Sequence, residues 1–430
     1  MTITVYPPYG SSVNNATYTQ FGGGTVDAFG RLRISQPYTI FDSQSRFGAD
    51  PQYSYVTANG GTNTYNTNKS SVNLSVTTTS GSTSMAQSKR VFPYQPGKSL
   101  LTLQTFSMAG AATNLRQRVG YFGAYNGVYL EQGANGVTFV IRTYTGGSVD
   151  DSRYVAQASW NGDKLDGSGP SGVTLDLTKT QILWFDFEWL GVGNVRCGFV
   201  INGQYVVCHT FENSNIGTDV YMQTAILPLR YEIVTTDTTA AAATLQMICS
   251  TVISEAGYQQ TSQRFVARRD ANGITIANNT GLTFTPLLSI RVNSSYYGAV
   301  VLPEGIQLYP TSSGATGYEV ALIKNATLTG ATWGGSALAN GQVDVDFSAT
   351  SATATANNIV QTSYAADSSQ STFSTDVHTG YNFDLQLGYT AALSGNGFGA
   401  SDTYTLAARG LNNSPVGAAT GALSFYNLTV

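Results

Sequence analysis

WFDFEWLGVGNVRCGFVINGQYVVCHTF, residues Trp184 to Phe211, decides the fold class. Two β-prone runs meet at Asn202-Gly203. Asn-Gly between apolar runs is a strong hairpin signal, because both turn residues tolerate positive φ. A two-residue turn there pairs Ile201 with Gln204, and therefore Cys197 with Cys208 and Arg196 with His209. Cys197, Phe199, Ile201, Val206 and Cys208 then share one face, and Val200, Tyr205, Val207 and Phe211 the other. A ribbon apolar on both faces belongs inside a layered β structure, with another sheet or another subunit against it.

The rest of the chain repeats this grammar. Asn-Gly recurs at Asn59, Asn126, Asn135, Asn161, Asn202, Asn272, Asn340 and Asn396. Between Tyr121 and Gly147 two such turns separate strands of about five residues, the spacing of an antiparallel sandwich or barrel. The best helical candidate, Thr239 to Thr244, is short and uncapped. Charged residues are only 11% of the 430 residues, against roughly 25% in an ordinary soluble domain. Gly, Tyr, Ser, Thr and Asn fill the difference, which suits short strands and tight turns. A net charge of −4 with no basic cluster argues against nucleic acid as a partner.

Three cysteines do not make a disulfide framework. Met1 to Gly10 lacks a signal-peptide pattern, and no run approaches a transmembrane span. Synthesis in a cytoplasm, with no membrane partner and no cofactor, is the expectation.

The expected organisation is all-β: an extended N-terminal arm over residues 1–90, then two antiparallel sandwiches of jelly-roll or lectin-like type, 91–257 and 258–430. Within the arm Gly22-Gly23-Gly24 and the Ser/Thr/Asn tracts at Asn59 to Asn73 and Thr77 to Ser84 read as loop-like. They flank one firm segment, Val26 to Gln44. In the second sandwich, strand-like runs fall at Leu287 to Val292, Ala299 to Leu302, Tyr318 to Ile323, Val343 to Phe347 and Leu423 to Val430.

Three segments carry a likeness to a known group: Asp27 to Arg33 (DAFGRLR) with Phe41 to Gln44 (FDSQ); Trp160-Asn161 with Asp163 to Gly167 (DKLDG); and Trp189 to Gly193 (WLGVG) continuing through Leu227 to Glu232 (LPLRYE). They resemble virion structural proteins of tailed bacteriophages, cyanophages especially. The resemblance implies a surface component of capsid or tail, many copies per particle, virion partners and no catalytic residues. A homo-oligomer, a trimer by expectation, would pack through its sheets.

Few residues offer chemistry. Asp186 and Glu188 lie two apart on the expected strand, roughly 7 Å from each other on one face. Paired carboxylates can hydrolyse glycosides; a strand with one polar side is the plainer reading. Asp163 and Asp166, in a Gly-rich turn, offer oxygens to a metal, but Leu165 interrupts the ligand spacing; Asp150-Asp151 are similar. His209 and His378 lack triad or metal spacing. Cys197 and Cys208, opposite each other, could bridge at about 5.5 Å, although two reduced buried thiols suit a cytoplasm better. Tyr296, Tyr297, Tyr309 and Trp333 stand among Asn, Thr and Gly, as in sugar-contacting surfaces or subunit contacts. A host-surface glycan-binding adhesin, and a polysaccharide-cleaving enzyme using Asp186 and Glu188, are the alternatives to a purely structural virion role.

Overall fold

The computed structural model describes residues 36–259, 262–278, 280–311, 317–334, 341–365, 373–376, 383–411 and 417–429. Among these residues there is no α-helix, only short 3-10 turns such as Ser294–Tyr296. The chain is all-β, and its named strand pairs are antiparallel.

Two sheets form the first sandwich. One has eight strands, ordered Gln204–Phe211, Val195–Ile201, Gln181–Phe187, Leu100–Ser107, Ala243–Ser254, Ser71–Val76, Thr62–Asn66, with Tyr38–Gln44 also on Ala243–Ser254. The other has seven: Asp150–Ala156, Gly136–Thr143, Gly127–Gly133, Leu115–Phe122, Leu229–Thr235, Thr83–Ser88, Tyr53–Ala58. Period-two alternation turns Phe185, Phe187, Val119, Tyr121, Phe139 and Tyr231 into the shared core. Trp160 stacks on Phe139 at 4.6 Å.

The first sandwich therefore already includes Tyr38–Gln44 and does not start at Val91. The polar tract Asn59 to Asn73, expected as a loop, holds the strand Thr62–Asn66 and the start of Ser71–Val76, while Thr77 to Ser82 is a turn that leads into the strand Thr83–Ser88. Val72, Leu74 and Val76 alternate into the core, so the Ser and Asn between them form the outer side of a strand. Residues 1–35, including Asp27 to Arg33, lie outside the described residues.

The Asn202-Gly203 turn is present, with φ of 51° and 77°. Its register is as expected from Ile201 opposite Gln204 to Gly198 opposite Val207, and then slips. A bulge at Cys208 places His209, not Cys208, opposite Cys197, and Thr210 opposite Arg196. The extra residue turns Phe211 to the core side, where it pairs with Val195 and is buried. The opposite face of the ribbon is not covered: Tyr205 and Val207 are 54% and 37% exposed.

The second sandwich packs a five-stranded sheet against a seven-stranded one. The first runs Gln263–Arg268, Ala418–Asn427, Val301–Pro310, Phe373–Asp376, with Ile274–Thr275 at the side. The second is built around Thr283–Val292, Thr403–Gly410 and Tyr318–Lys324. The polar break at Tyr258 to Arg264 lies between the last strand of the first sandwich, Ala243–Ser254, and the first of the second, Gln263–Arg268, and the two sandwiches also touch elsewhere. Tyr389 N–H donates to the Lys89 carbonyl at 2.7 Å, and Ala391 N–H to Ser54 Oγ at 2.9 Å. Arg90 pairs with Asp384 at 2.9 Å. Val91 packs in the second core, and Leu302 in the first.

Candidate functional site

Where the sandwiches meet, three loops enclose a cleft of about 330 Å³. The first wall is the Tyr125-Asn126 turn after Leu115–Phe122, closed by Gly123 N–H on the Asn126 carbonyl at 2.8 Å. Tyr125 stacks on Tyr144 at 4.4 Å. The second wall is the 3-10 turn Ser294–Tyr296. Asn293 caps it by accepting from Ser295 N–H at 2.8 Å, the usual role of an Asn side chain there. The third is the hairpin joining Tyr389–Ala391 to Phe398–Ser401, where Asn396 Oδ1 accepts from Phe398 N–H at 3.1 Å.

Tyr296 is 44% exposed at the rim. Tyr297 is braced edge-on against Tyr389 at 5.4 Å and Phe398 at 6.3 Å. Thr224, Gln342 and Thr429 supply further polar lining. Among the described residues, no Asp, Glu, Lys or Arg lines this cleft.

Behind the Tyr125 wall the chemistry reverses. The outer side of the seven-stranded sheet carries Arg116, Arg118, Arg142 and Arg230 with Glu131, Asp151 and Glu232. Register puts Glu131, Arg118 and Glu232 in one row across three strands. Arg118 reaches Glu131 at 2.7 Å and Glu232 at 3.6 Å; Arg142 holds Asp151 at 2.7 Å; Arg230 meets Glu232 at 3.5 Å. Phe122 and Tyr129, both fully buried, floor the guanidinium groups. Burial opposes ionisation of Glu232, but the surrounding arginines outweigh it and hold the carboxyl below its usual range. Burial also lowers Arg230, to about 10. The network touches the cleft from beneath: Arg142 donates to the Gly123 and Ala124 carbonyls at 3.3 and 3.4 Å.

The residues singled out from sequence are scattered. Tyr296 and Tyr297 meet in the cleft. Tyr309 lies elsewhere, beside Arg268. Trp333 is half-buried, with the Arg291 guanidinium 4.4 Å above its ring. Asp186 faces away from the core in an ion pair with Arg196. Its strand ends at Phe187, so Glu188 belongs to the following loop, where it is exposed and accepts from Asn194 N–H at 3.3 Å. The expected shared strand face is therefore absent.

Asp163 accepts from Leu165 N–H at 2.9 Å and Ser171 N–H at 2.7 Å. Burial works against its charge, yet those backbone donors keep its carboxyl below the ordinary range. Asp166 accepts from Ser168 N–H at 2.9 Å. Both carboxylates organise turns, and no group of three metal-ligating side chains occurs among the described residues. Cys197 and Cys208 are free thiols. Burial, then the Asp163 charge, pushes Cys208 up to about 12. His209 Nδ1 accepts from Asn161 N–H at 3.3 Å. Burial and then Arg153 depress its pKa; Arg196, the expected neighbour, is not the cause. His378 lies outside the described residues.

Sequence reasoning missed Tyr125, Asn126, Asn396 and Phe398 as cleft residues. The Asn126-Gly127 and Asn396-Gly397 turns were the available signal. It also missed the arginine network, of which only the alternating pairs Arg116/Arg118 and Arg230/Glu232 are visible along the chain.

No family model and no curated protein matches this sequence. Among solved structures the chain is similar to the Bacillus licheniformis β-glucanase, at 10% identity over 51% of this chain and 99% of that one, with a TM-score of 0.33. It is similar to peanut lectin at 10% identity, 52% and 100% coverage and a TM-score of 0.32. The Emp47p carbohydrate recognition domain gives 8%, 51% and 97%, with a TM-score of 0.34. At these identities and TM-scores none carries an argument about ligand or activity.

Proposed function

We propose that this protein acts by binding, and that the cleft between its sandwiches takes an uncharged saccharide. One observation carries this reading: the cleft is lined by Tyr125, Tyr296, Tyr297 and Phe398 together with Asn, Gln and Thr, and, among the described residues, by no Asp, Glu, Lys, Arg or His. Aromatic faces suit the apolar faces of a sugar ring, while amides and hydroxyls suit its hydroxyl groups. The walls are fixed by backbone hydrogen bonds and stacked rings, so little ordering cost accompanies binding.

The second reading is placement on a tailed-phage particle, as a host-binding or structural surface component among virion partners and further copies of itself. It rests on the resemblance of the three sequence segments. Of these, Phe41, Trp160, Tyr231 and Leu229 are core residues here, and Arg230 and Glu232 belong to the charged network. Exposed Leu190, Val192, Ile216 and Val220, on loops joined by Tyr221 N–H to the Gly191 carbonyl at 3.0 Å, give it an apolar surface for neighbours.

A glycan array probed with the full chain tests the first reading, with Tyr296→Ala as control. Binding of neutral glycans that the variant loses is the expected result. Release of reducing sugar from host polysaccharide, abolished in Glu188→Gln, would replace binding with catalysis. Labelling of intact particles with an antibody to the chain tests the second reading.

A further inference from the structure

The outer side of the five-stranded sheet holds a second hollow, of about 230 Å³, far in sequence from the cleft residues of the first sandwich. Its shape follows from strand order and side-chain size. The central strand, Ala418–Asn427, presents Thr420 and Ala422 outward, so its floor is low. Register places Arg268 and Gln307 on either side of Ala422, one strand away in each direction. Two strand spacings set their backbones about 10 Å apart. Tyr309, opposite Thr420 in the next outward row, closes one end.

The charge of this hollow is one-sided. Arg268 and Arg269 line it, and among the described residues no Asp or Glu does, in a chain whose net charge is −4. Arg269 is committed to the fold: it donates to the Leu287 carbonyl at 2.8 Å and the Phe347 carbonyl at 2.9 Å, and its ring neighbour is Phe347. Arg268 is exposed and has no acidic partner among the described residues. Arg264, four residues earlier on the same side of the strand, is paired with Glu304. Tyr309 is 42% exposed, and Gln307 is exposed beside it. Thr420 Oγ donates to the Asp270 carbonyl at 2.8 Å, which leaves its lone pairs as acceptors.

We propose that this hollow binds a carboxylate-bearing saccharide, such as a uronic acid residue. The planar Arg268 fork fits a carboxylate in two parallel hydrogen bonds. Arg269 adds charge from behind. The Tyr309 ring takes the apolar face of the sugar, and Gln307 both donates to and accepts from its hydroxyls. This site is independent of the neutral cleft, and either can fail without the other.

The test is calorimetric titration of the full chain with an oligosaccharide ending in glucuronate and with the same oligosaccharide ending in glucose. Binding of the glucuronate form alone is expected. Arg268→Gln should weaken it about tenfold or more, the size of a lost charged hydrogen bond. Tyr309→Ala should weaken it as well, while Tyr296→Ala in the cleft leaves it unchanged. Inorganic phosphate serves as competitor. Failure to compete supports a sugar carboxylate; competition at equal concentration would make this a general anion site and overturn the saccharide assignment. Equal affinity for the two oligosaccharides, no binding of either, or an Arg268→Gln variant that binds as before also overturns it. Arg268 is exposed, so its substitution leaves the fold intact, as unchanged thermal unfolding will show.

Discussion

The neutral cleft and the arginine face lie back to back across the Tyr125 wall, yet they use opposite chemistry. Among the described residues, the cleft has aromatic rings and amides and not one charged side chain. The face behind it has four arginines and three carboxylates, all engaged with one another. In a chain with 11% charged residues this is a division of labour. Buried charge ties strands that are distant in sequence into one register, because each guanidinium fits only one arrangement of partners. The binding surface is left to groups that need no such partner. The stiffness of the first region then keeps the rings of the second in place, since Arg142 holds the Gly123 and Ala124 carbonyls directly.

The largest expected effect breaks the charged side of this comparison. Glu232 is buried and answers Arg118, Arg230 and Arg116. Glu232→Gln leaves three guanidinium groups short of charge and should cost about 3 kcal/mol or more, read by urea unfolding. A loss below about 1 kcal/mol would show that the network behaves as an ordinary surface. Acid makes the same point without a mutation. Glu232 and Asp151 are both held below the usual carboxyl range by their arginines, against the effect of burial. A depressed folded pKa adds stability that is present above the unfolded value and lost as pH falls through the folded one. Stability should therefore hold from neutral pH to about 4.5 and then decline. Unfolding free energies that stay flat through that range would contradict it.

A middle-sized effect separates packing from charge. Gly198 lies under the Trp184 ring, and an added Cβ there would stand 2.8 Å from that ring and closer still to the Val206 carbonyl. Gly198→Ala should cost about 1–3 kcal/mol through overpacking alone. It should do so equally at pH 7 and pH 4, unlike Glu232→Gln, and a pH-dependent cost would tie this sheet to the network.

The two regions also differ in how far the sequence reveals them. Alternation and Asn-Gly turns were enough for the sandwich strands, and for the strand register close to Asn202-Gly203. They did not reveal the bulge at Cys208, since a turn fixes pairing only until the ladder slips, and no Gly or Pro marks this slip. The arm was misjudged because Ser, Thr and Asn between Val72, Leu74 and Val76 were weighed as loop composition rather than as the outer side of a strand. Tyr296-Tyr297 was visible as an aromatic pair. Its cleft was not, because Tyr125 and Phe398 come from elements distant along the chain and meet only through tertiary contact. The network is the least legible feature of all: Arg118, Arg142 and Arg230 come from three different strands and meet only across the sheet.

The smallest expected effect concerns salt, and it bears directly on which region binds. Ion-ion attraction between exposed groups fades over about 3 Å at 1 M salt and reaches about 10 Å at 0.1 M. A ligand held by the rings and amides of the cleft feels no such attraction, so its affinity should change less than about twofold between those conditions. The arginines behind the wall do not alter this, since Arg142 and Arg230 already face Asp151 and Glu232. Titrating the neutral glycan at both salt concentrations checks it. A steep loss of affinity with salt would mean that the charged face, not the cleft, contacts the ligand, and the division between the two regions would fall.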